Sequence, residues 1–377
     1  GNTAQIADTE RNFTLSPEEI ATINPNTKTA PVFRSRADAQ LTAKLYRNTP
    51  VLIDESLGEA GNLWRIEFRQ GLFNMASDST LFRTATMLSA NGFQRDGSDW
   101  VKETERFLPL YEAKMIHQFD HRWAGYAENG NDSADIGLRE KLDASFEPAP
   151  RYWVAQAEIE IRLAAKGWNR GWLMGWRDIT NATNERTVIA TVFPKVGVGH
   201  VLPIVFMAAP PQYWSAFLGN FCSVVLDYAA RQAVGGTHLT YGYLKQFPIF
   251  PPNFYTEALL AFITPKVLEL TYTSHSLAPF ARDLGYEGPP FTWEEDRRAH
   301  LRADLDAFYA RAYGLTRDEL RYILDPADVM GPDYPSETFR VLKEKEIRHY
   351  GEYRTRRLVL AAWDRMEADG TFKAMDM

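Results

Sequence analysis

The strongest constraint on the fold is a change of character at FPIFPP, residues 247–252. Before it, strand and helix signals are mixed; beyond it the strand signals fade and helical patterns dominate. Two adjacent prolines have fixed φ and no amide donors, so Pro251–Pro252 closes whatever element precedes it. A mixed first part followed by a run of helices predicts an α+β protein. With 377 residues and roughly 150 residues per domain, the chain is long enough for about two cores. The expected division is a lead-in with one helix over 1–49, a mixed α/β segment over 50–252, and a helical segment over 253–377.

Local signals fill in this plan. Ser16-Pro17-Glu18-Glu19 predicts a short capped turn, and Ser35 can cap a helix to about Arg47 with Ala39, Leu41 and Leu45 on its apolar side. In LWRIEFRQ, Trp64, Ile66 and Phe68 alternate with Arg65, Glu67 and Arg69, the period of a half-buried strand. SDSTLFRTATMLSANG predicts a capped helix closed near Gly92, and Asp96-Gly97 a hairpin turn. ERTVIATVF and HVLPIVF read as strands. WSAFLGNFCSVVLDYAARQAVGG reads as one long apolar helix ending at Gly235-Gly236, with Phe217, Phe221, Val225 and Tyr228 facing the core. Beyond the proline pair, helices are expected at 254–272, 293–313, 316–324, 336–349 and 352–368. The polar stretch 127–137 is expected to be an exposed loop.

Composition excludes several classes. No window approaches the ~18 apolar residues of a membrane span, and GNTAQIADTERNF lacks the basic end and apolar run of a secretory signal. Cys222 is the single cysteine, which excludes a disulfide scaffold or a cysteine-rich zinc site. A cytoplasmic setting is the expectation. The net charge of −7 argues against a surface that is basic throughout. Its distribution is uneven: residues 151–200 hold seven Lys/Arg against four acids, and 337–366 hold eight against five. A DNA-facing side is compatible with that pattern.

Catalytic signatures are incomplete. KVGVGH has Gly197 and Gly199 but no third glycine of a dinucleotide loop, and strand rather than helix follows it. HQFDH sets His117 and His121 four apart, yet Gln118 stands where a zinc protease has glutamate, and no third ligand is evident. A hydrogen-bonded role is the favoured reading. EAK at 112–114 is only a fragment of a nuclease pattern. KGWNRGWLMGW repeats Gly-Trp at Trp168, Trp172 and Trp176; core packing with close backbone approach is favoured over stacking on an extruded base.

Longer blocks carry a resemblance. NPNTKTAPVFRSRADAQLTAKLYRNTPVLI (24–53) resembles the segment after the catalytic domain in large adenine-N6 DNA methyltransferases of restriction–modification and phage-defence systems. LPLYEAKMIHQFDHRWAGY (108–126), WRDITNATNERTVIATVFPKVGVG (176–199) and LDYAARQAVGGTHLTYGYLKQFPIFPP (226–252) are similar to successive blocks of that family's target-recognition region. LRYILDPADVMGPDYPSETFRVLKEKEIRHYGEYRTRRLVLAAWDRM (320–366) is similar to its helical C-terminal end. LKQFPIFPP also resembles the passage from recognition domain to spacer helix in type I specificity subunits.

The family's catalytic Asn/Asp-Pro-Pro-aromatic tetrapeptide is absent. The closest string is Asn24-Pro25-Asn26, and no glycine-rich loop follows a first strand to hold S-adenosylmethionine. The resemblance therefore implies a DNA-reading portion that binds no cofactor itself and works with an N-terminal methyltransferase domain, or a partner subunit, that binds S-adenosylmethionine. It implies duplex DNA as the partner, read through groove-inserted loops and positioned for adenine flipping. The candidate contacts are Arg65, Arg69, Lys114, Arg177, Asn181, Asn184, Arg186, Lys195, Thr237 and His238. The rival reading is a protein-interaction module that docks a partner methylase or nuclease subunit.

Overall fold

The computed structural model describes residues 8–29, 31–127, 130, 132–334 and 337–376. The lead-in forms α1 (Pro17–Ile23), whose Ser16 and Glu19 make a reciprocal capping box, and α2 (Arg36–Asn48), capped by Ser35. Strand β1 (Ile66–Arg69) follows, then α3 (Ala85–Ala90), β2 (Gln94–Asp96), β3 (Asp99–Lys102) and β4 (Glu105–Tyr111). Next come β5 (Ala124–Tyr126), β6 (Ser133–Asp135), α4 (Leu138–Leu142), β7 (Tyr152–Ala155) and α5 (Gln156–Ala164). The last strands are β8 (Trp172–Trp176), β9 (Ala190–Pro194), β10 (Gly197–Val198) and β11 (Ile204–Met207).

Two sheets are stacked. The first is antiparallel with order β1-β11-β8-β9. The second has order β10-β4-β3-β2 with β7 also on β4; its β10–β4 pairing is parallel and the rest antiparallel. Strands β5 and β6 form a separate hairpin. The fold is α+β, with mixed sheets and a helical C-terminal region.

Helices cover the free face of the first sheet: α6 (Pro211–Phe221), α7 (Val224–Ala233), the short α8 (Tyr241–Leu244) and α9 (Glu257–Thr271). After them come α10 (Ala278–Asp283), α11 (Glu295–Ala312), α12 (Arg317–Leu324), α13 (Pro326–Met330), α14 (Arg340–Tyr350), α15 (Arg354–Ala368) and α16 (Thr371–Ala374). Trp172, Met174 and Trp176 of β8 point into the helices, whereas Leu173 points into the second sheet with Phe193, Ile204 and Phe206. Both faces of β8, β9 and β11 are thus buried, which is why these strands read as continuous apolar runs, whereas β1 at the sheet edge keeps the alternating pattern and exposes Glu67. The helix-side core takes in Ile23, Leu41 and Tyr46 from the lead-in, Phe217 and Tyr228 from α6 and α7, and Phe308 and Trp363 from α11 and α15. It runs through the Pro251–Pro252 junction without a break.

Several local expectations are revised. The helix expected over 77–92 is only a 3-10 turn at Ser79–Leu81 followed by α3, because extended Arg83 exchanges backbone hydrogen bonds with Trp153. The long helix over 214–236 is two helices. Ser223 caps α7 by accepting from the Leu226 amide at 3.2 Å, which breaks the run at Cys222. All four residues expected to face the core from it are fully buried. In ERTVIATVF only the second half is strand, since the Thr187 and Val188 amides donate to the Asp227 carboxylate instead of to a neighbouring strand. HVLPIVF is likewise strand only from Ile204. The five C-terminal helices start up to four residues later than expected but end within one residue of their expected ends. Residue 336 of the fourth lies outside the described residues, as do 128, 129 and 131 of the polar 127–137 stretch.

The second half of the Gly-Trp repeat, Trp172–Trp176, is strand β8, and Trp168 precedes it. Trp172 and Trp176 are fully buried, and a Cβ at Gly175 would stand 2.4 Å from the Pro203 carbonyl oxygen. Among the described residues, no helix is long and apolar enough to cross a membrane.

Two outcomes follow from the shared core. Tryptophan fluorescence and far-UV circular dichroism should report one coincident denaturant transition; two separated transitions would show that the sheets and the C-terminal helices are independent units. Gly175→Ala should destabilise by about 1–3 kcal/mol, read as a shifted midpoint at constant slope, because backbone on two strands must separate.

Candidate nucleic-acid interface

Strand register decides which candidate residues share a surface. Arg69 pairs with Ile204, and Ile204 pairs with Gly175, so the C-terminal ends of β1 and β8 lie together. Trp172 pairs with Pro194, which puts Lys195 at the opposite end of the sheet. Arg65, exposed and at φ +49°, precedes β1 at that same far end. Lys195 stands 3.8 Å from Glu160. These two candidates are separated from the rest.

At the near end, two distant loops are stitched together. The Thr180 amide donates to the Thr237 carbonyl at 3.0 Å, and the Leu239 amide to the Asp178 carbonyl at 2.7 Å. Trp176 Nε1 donates to the Leu239 carbonyl at 2.8 Å, anchoring the pair to the core. Asn181 Oδ1 accepts from the Thr183 amide and hydroxyl at 2.8 and 2.7 Å, closing a tight turn. Asn184 Nδ2 lies 3.4 Å from Thr180 Oγ1. Both asparagines therefore shape the loop, while Thr183, Ile179, Gly235, Gly236 and Thr237 stand exposed around them.

His238 is the best-placed polar group on this surface. Its Nδ1 lies 2.9 Å from Asp178 Oδ2, and its side chain remains 56% exposed although the Asp178 side chain is only 9% exposed. The buried carboxylate fixes the ring while Nε2, which has no partner among the described residues, is available to an external donor or acceptor. Nearby, Tyr241 stacks on Phe68 with centroids 5.9 Å apart.

Lys114 joins the same end through Arg177. Arg177 Nε donates to the Ile116 carbonyl at 2.8 Å and its Nη2 to the Lys114 carbonyl at 3.3 Å. Burial pushes the Arg177 guanidinium down to about 10, so it stays charged at neutral pH. Its donors hold the loop after β4 against the loop after β8. Lys114 Nζ sits 4.2 Å over the Tyr126 ring of β5 and 3.2 Å from Ser133 Oγ of β6, so it rests on that hairpin.

Arg186 needs correction as a contact candidate. It is 7% exposed, its Nη2 donates to the Cys222 carbonyl at 2.5 Å, and its Nε is 3.8 Å from Asp227. Fully buried Asp227 also accepts from Arg231 Nε at 2.8 Å. Burial disfavours the Arg186 cation, but Asp227 and Asp306 outweigh it and raise its pKa. Arg186 is a core ion and does not reach a ligand. Asp306 is pushed up to about 6, mainly by burial.

HQFDHR is likewise structural. His117 stacks on Trp123 with centroids 4.3 Å apart, and burial holds it well below the usual imidazole range. Asp120 pairs with Lys141 at 2.5 Å. His121 Nε2 lies 3.0 Å from Ser274 Oγ, 3.2 Å from Ser276 Oγ and 3.6 Å from Glu147. Both hydroxyls and the carboxylate meet the same ring nitrogen, and buried Nδ1 has no partner, so no base is oriented as nucleophilic catalysis requires. Arg122, fully buried, donates to the carbonyls of Lys141, Asp143, Phe146 and Thr273. Among the described residues no cluster of histidine, cysteine or acidic groups is spaced to hold a metal ion.

The interface thus gathers Arg69, Lys114, Asn181, Asn184, Thr237 and His238, with Arg177 beneath them. Sequence reasoning missed Asp178 as the residue that orients His238, because sixty positions separate them and neither lies in a local motif. No protein-family model matches this chain, and no curated protein matches it.

Arg186→Ala should cost about 1–3 kcal/mol in a denaturant titration, because the buried Cys222 carbonyl loses its donor while Asp227 keeps Arg231. A pH series tests Asp306. Its folded pKa of about 6 is raised from 3.8, so its contribution to stability is full below the lower value and is lost as pH rises through the upper one. Relative to Asp306→Asn, the wild-type chain should lose about 1–3 kcal/mol between pH 4 and 7; parallel curves would contradict the burial argument.

Proposed function

We propose that this chain is the DNA sequence-recognition portion of an adenine-N6 DNA methyltransferase of restriction–modification type. It positions duplex DNA for a catalytic domain, in the same polypeptide or a partner subunit, that binds S-adenosylmethionine. The observation carrying this reading is convergence. The blocks 108–126, 176–199 and 226–252, which resemble the family's target-recognition region, supply Lys114, Asn181 and His238 to one surface although far apart in sequence.

That surface has the chemistry duplex reading needs. Lys114 and Arg69 are cations suited to phosphates, which fix register. Loop residues around His238 and Asn181 offer donors and acceptors of a size to reach base edges. The rigid stitching of the two loops lowers the ordering cost of binding.

Fluorescence anisotropy with a labelled duplex tests the proposal. At ~50 mM salt the wild-type chain should bind with a dissociation constant around 10⁻⁴–10⁻⁶ M, and weaken as salt rises. Arg69→Ala with Lys114→Ala should flatten the salt dependence by roughly two phosphate contacts, about 1.8 in the log–log slope. Arg65→Ala with Lys195→Ala, at the far end of the sheet, should leave it unchanged. Absence of binding at low salt, or a larger effect from the far pair, would overturn the assignment. Calorimetric titration with S-adenosylmethionine should show no binding by the isolated chain; stoichiometric low-micromolar binding would contradict the division of labour proposed here.

A further inference from the structure

Beside the interface runs a groove of about 920 Å³ between α3 and β7, with Arg95, Trp100, Tyr126, Arg151, Tyr152 and Trp153 among its lining residues. One wall is low, because α3 presents Thr86, Ser89 and Ala90 there. The two arginines stand out chemically. The Arg95 guanidinium lies 5.2 Å from the ring centroids of both Trp100 and Trp153. That of Arg151 lies 4.8 Å over Tyr126. Aromatic backing holds a guanidinium in place without neutralising it and leaves its donors for another group.

Two neighbouring acids, Asp99 and Glu112, are already engaged. Asp99, the carboxylate nearest in effect to Arg95, is bonded to Arg106 at 2.7 Å. Glu112 accepts from the Tyr126 hydroxyl at 2.7 Å and approaches Arg151 no closer than 3.9 Å. Arg95 Nη1 makes a weak bond to the Ser98 carbonyl at 3.3 Å, and buried Arg151 Nε has no hydrogen-bond partner among the described residues. The groove adjoins the proposed interface through a single side chain: Lys114 Nζ and the Arg151 guanidinium lie over the same Tyr126 ring, at 4.2 and 4.8 Å.

We infer that this groove is a second nucleic-acid contact, in which Arg95 and Arg151 bind the sugar–phosphate backbone of the DNA strand that leaves the Lys114–His238 surface. The inference rests on the DNA-binding reading and extends it to residues that no family block contains. Planar guanidinium forks suit phosphate oxygens. The groove supplies two guanidinium groups within an acidic chain, and it borders the Lys114 side of that surface at Tyr126.

The test is a salt titration of duplex binding by the full chain. Arg95→Gln with Arg151→Gln should weaken binding roughly tenfold at ~50 mM salt and flatten the log–log slope by about 1.8, as for two lost phosphate contacts. Arg95→Lys with Arg151→Lys keeps the charges and should restore most of the slope, which a merely structural role for either side chain would not do. Matching thermal midpoints for the Gln pair and the wild type keep unfolding out of the comparison; should the Gln pair melt early, the Lys pair and the single Arg95→Gln variant, whose side chain is exposed, carry the test with half the slope change. If the wild-type chain binds DNA and the Gln variants bind it with the same slope, the groove assignment is wrong while the interface stands. If the wild-type chain binds no DNA, both fall.

Discussion

Strands β8, β9 and β11 of the first sheet are buried on both faces, and everything else is arranged around that constraint. A sheet with one wet face needs only one partner layer. Here Trp172 and Trp176 demand helices on one side, while Leu173 and Phe193 demand a second sheet on the other. Each buried aromatic of this size contributes several kcal/mol that is forfeited if either layer is missing. The three layers are therefore mutually required. The strand ends, by contrast, are open, and they are where the exposed polar loops emerge.

Burying so much sheet forces charged groups inside at the layer boundaries, and two of them, Asp227 and Arg122, are densely bonded there. Asp227 takes two backbone amides and Arg231, which in turn bonds the carbonyls of Ala182, Asn184, Glu185 and Thr338. One ion pair thus fixes the root of the 177–184 loop to α7 and to the segment before α14. Arg122 does the same at the other boundary, tying the loop after β4 to the entry of the helical region. The charges that look functional in the sequence, Arg186 and the HQFDH histidines, are those that hold layers together. The charges on which the proposed DNA contact rests are Lys114 and Arg69, which are candidates in the sequence, and Arg95 and Arg151, which are not.

Much of this architecture could be read from the residues. The change of pattern at the proline pair, the capping serines Ser16 and Ser35, and the apolar faces of α6, α7 and the C-terminal helices are local signals with local causes. What escaped was set by tertiary contacts. Ser223 breaks an otherwise continuous apolar run because a buried cap at that point lets α7 turn onto α11, whose Asp306 also receives the Val224 amide at 2.8 Å. Arg83 leaves a helical pattern because Trp153 offers it a backbone partner. At the candidate interface, residue types were legible and surroundings were not: Arg177, Arg186 and Arg69 look alike in sequence, and what sets the first two apart is the pair of backbone carbonyls that Arg177 binds and the burial of Arg186.

The shared core also bears on how the protein is made. Ile23 and Tyr46, near the start, bury in the same cluster as Trp363 and Met366 of α15. At roughly 5–20 residues per second of synthesis, the first of these partners leaves the ribosome tens of seconds before the last. In that interval the helix-facing side of β8, with two tryptophans, has no complete cover. A nascent chain of this kind spends its synthesis with sticky strands exposed, and contacts between residues this far apart in sequence slow closure once the chain is free. Until α15 has emerged, the side of β8 that faces the helices is therefore a surface on which an incomplete chain can associate with others.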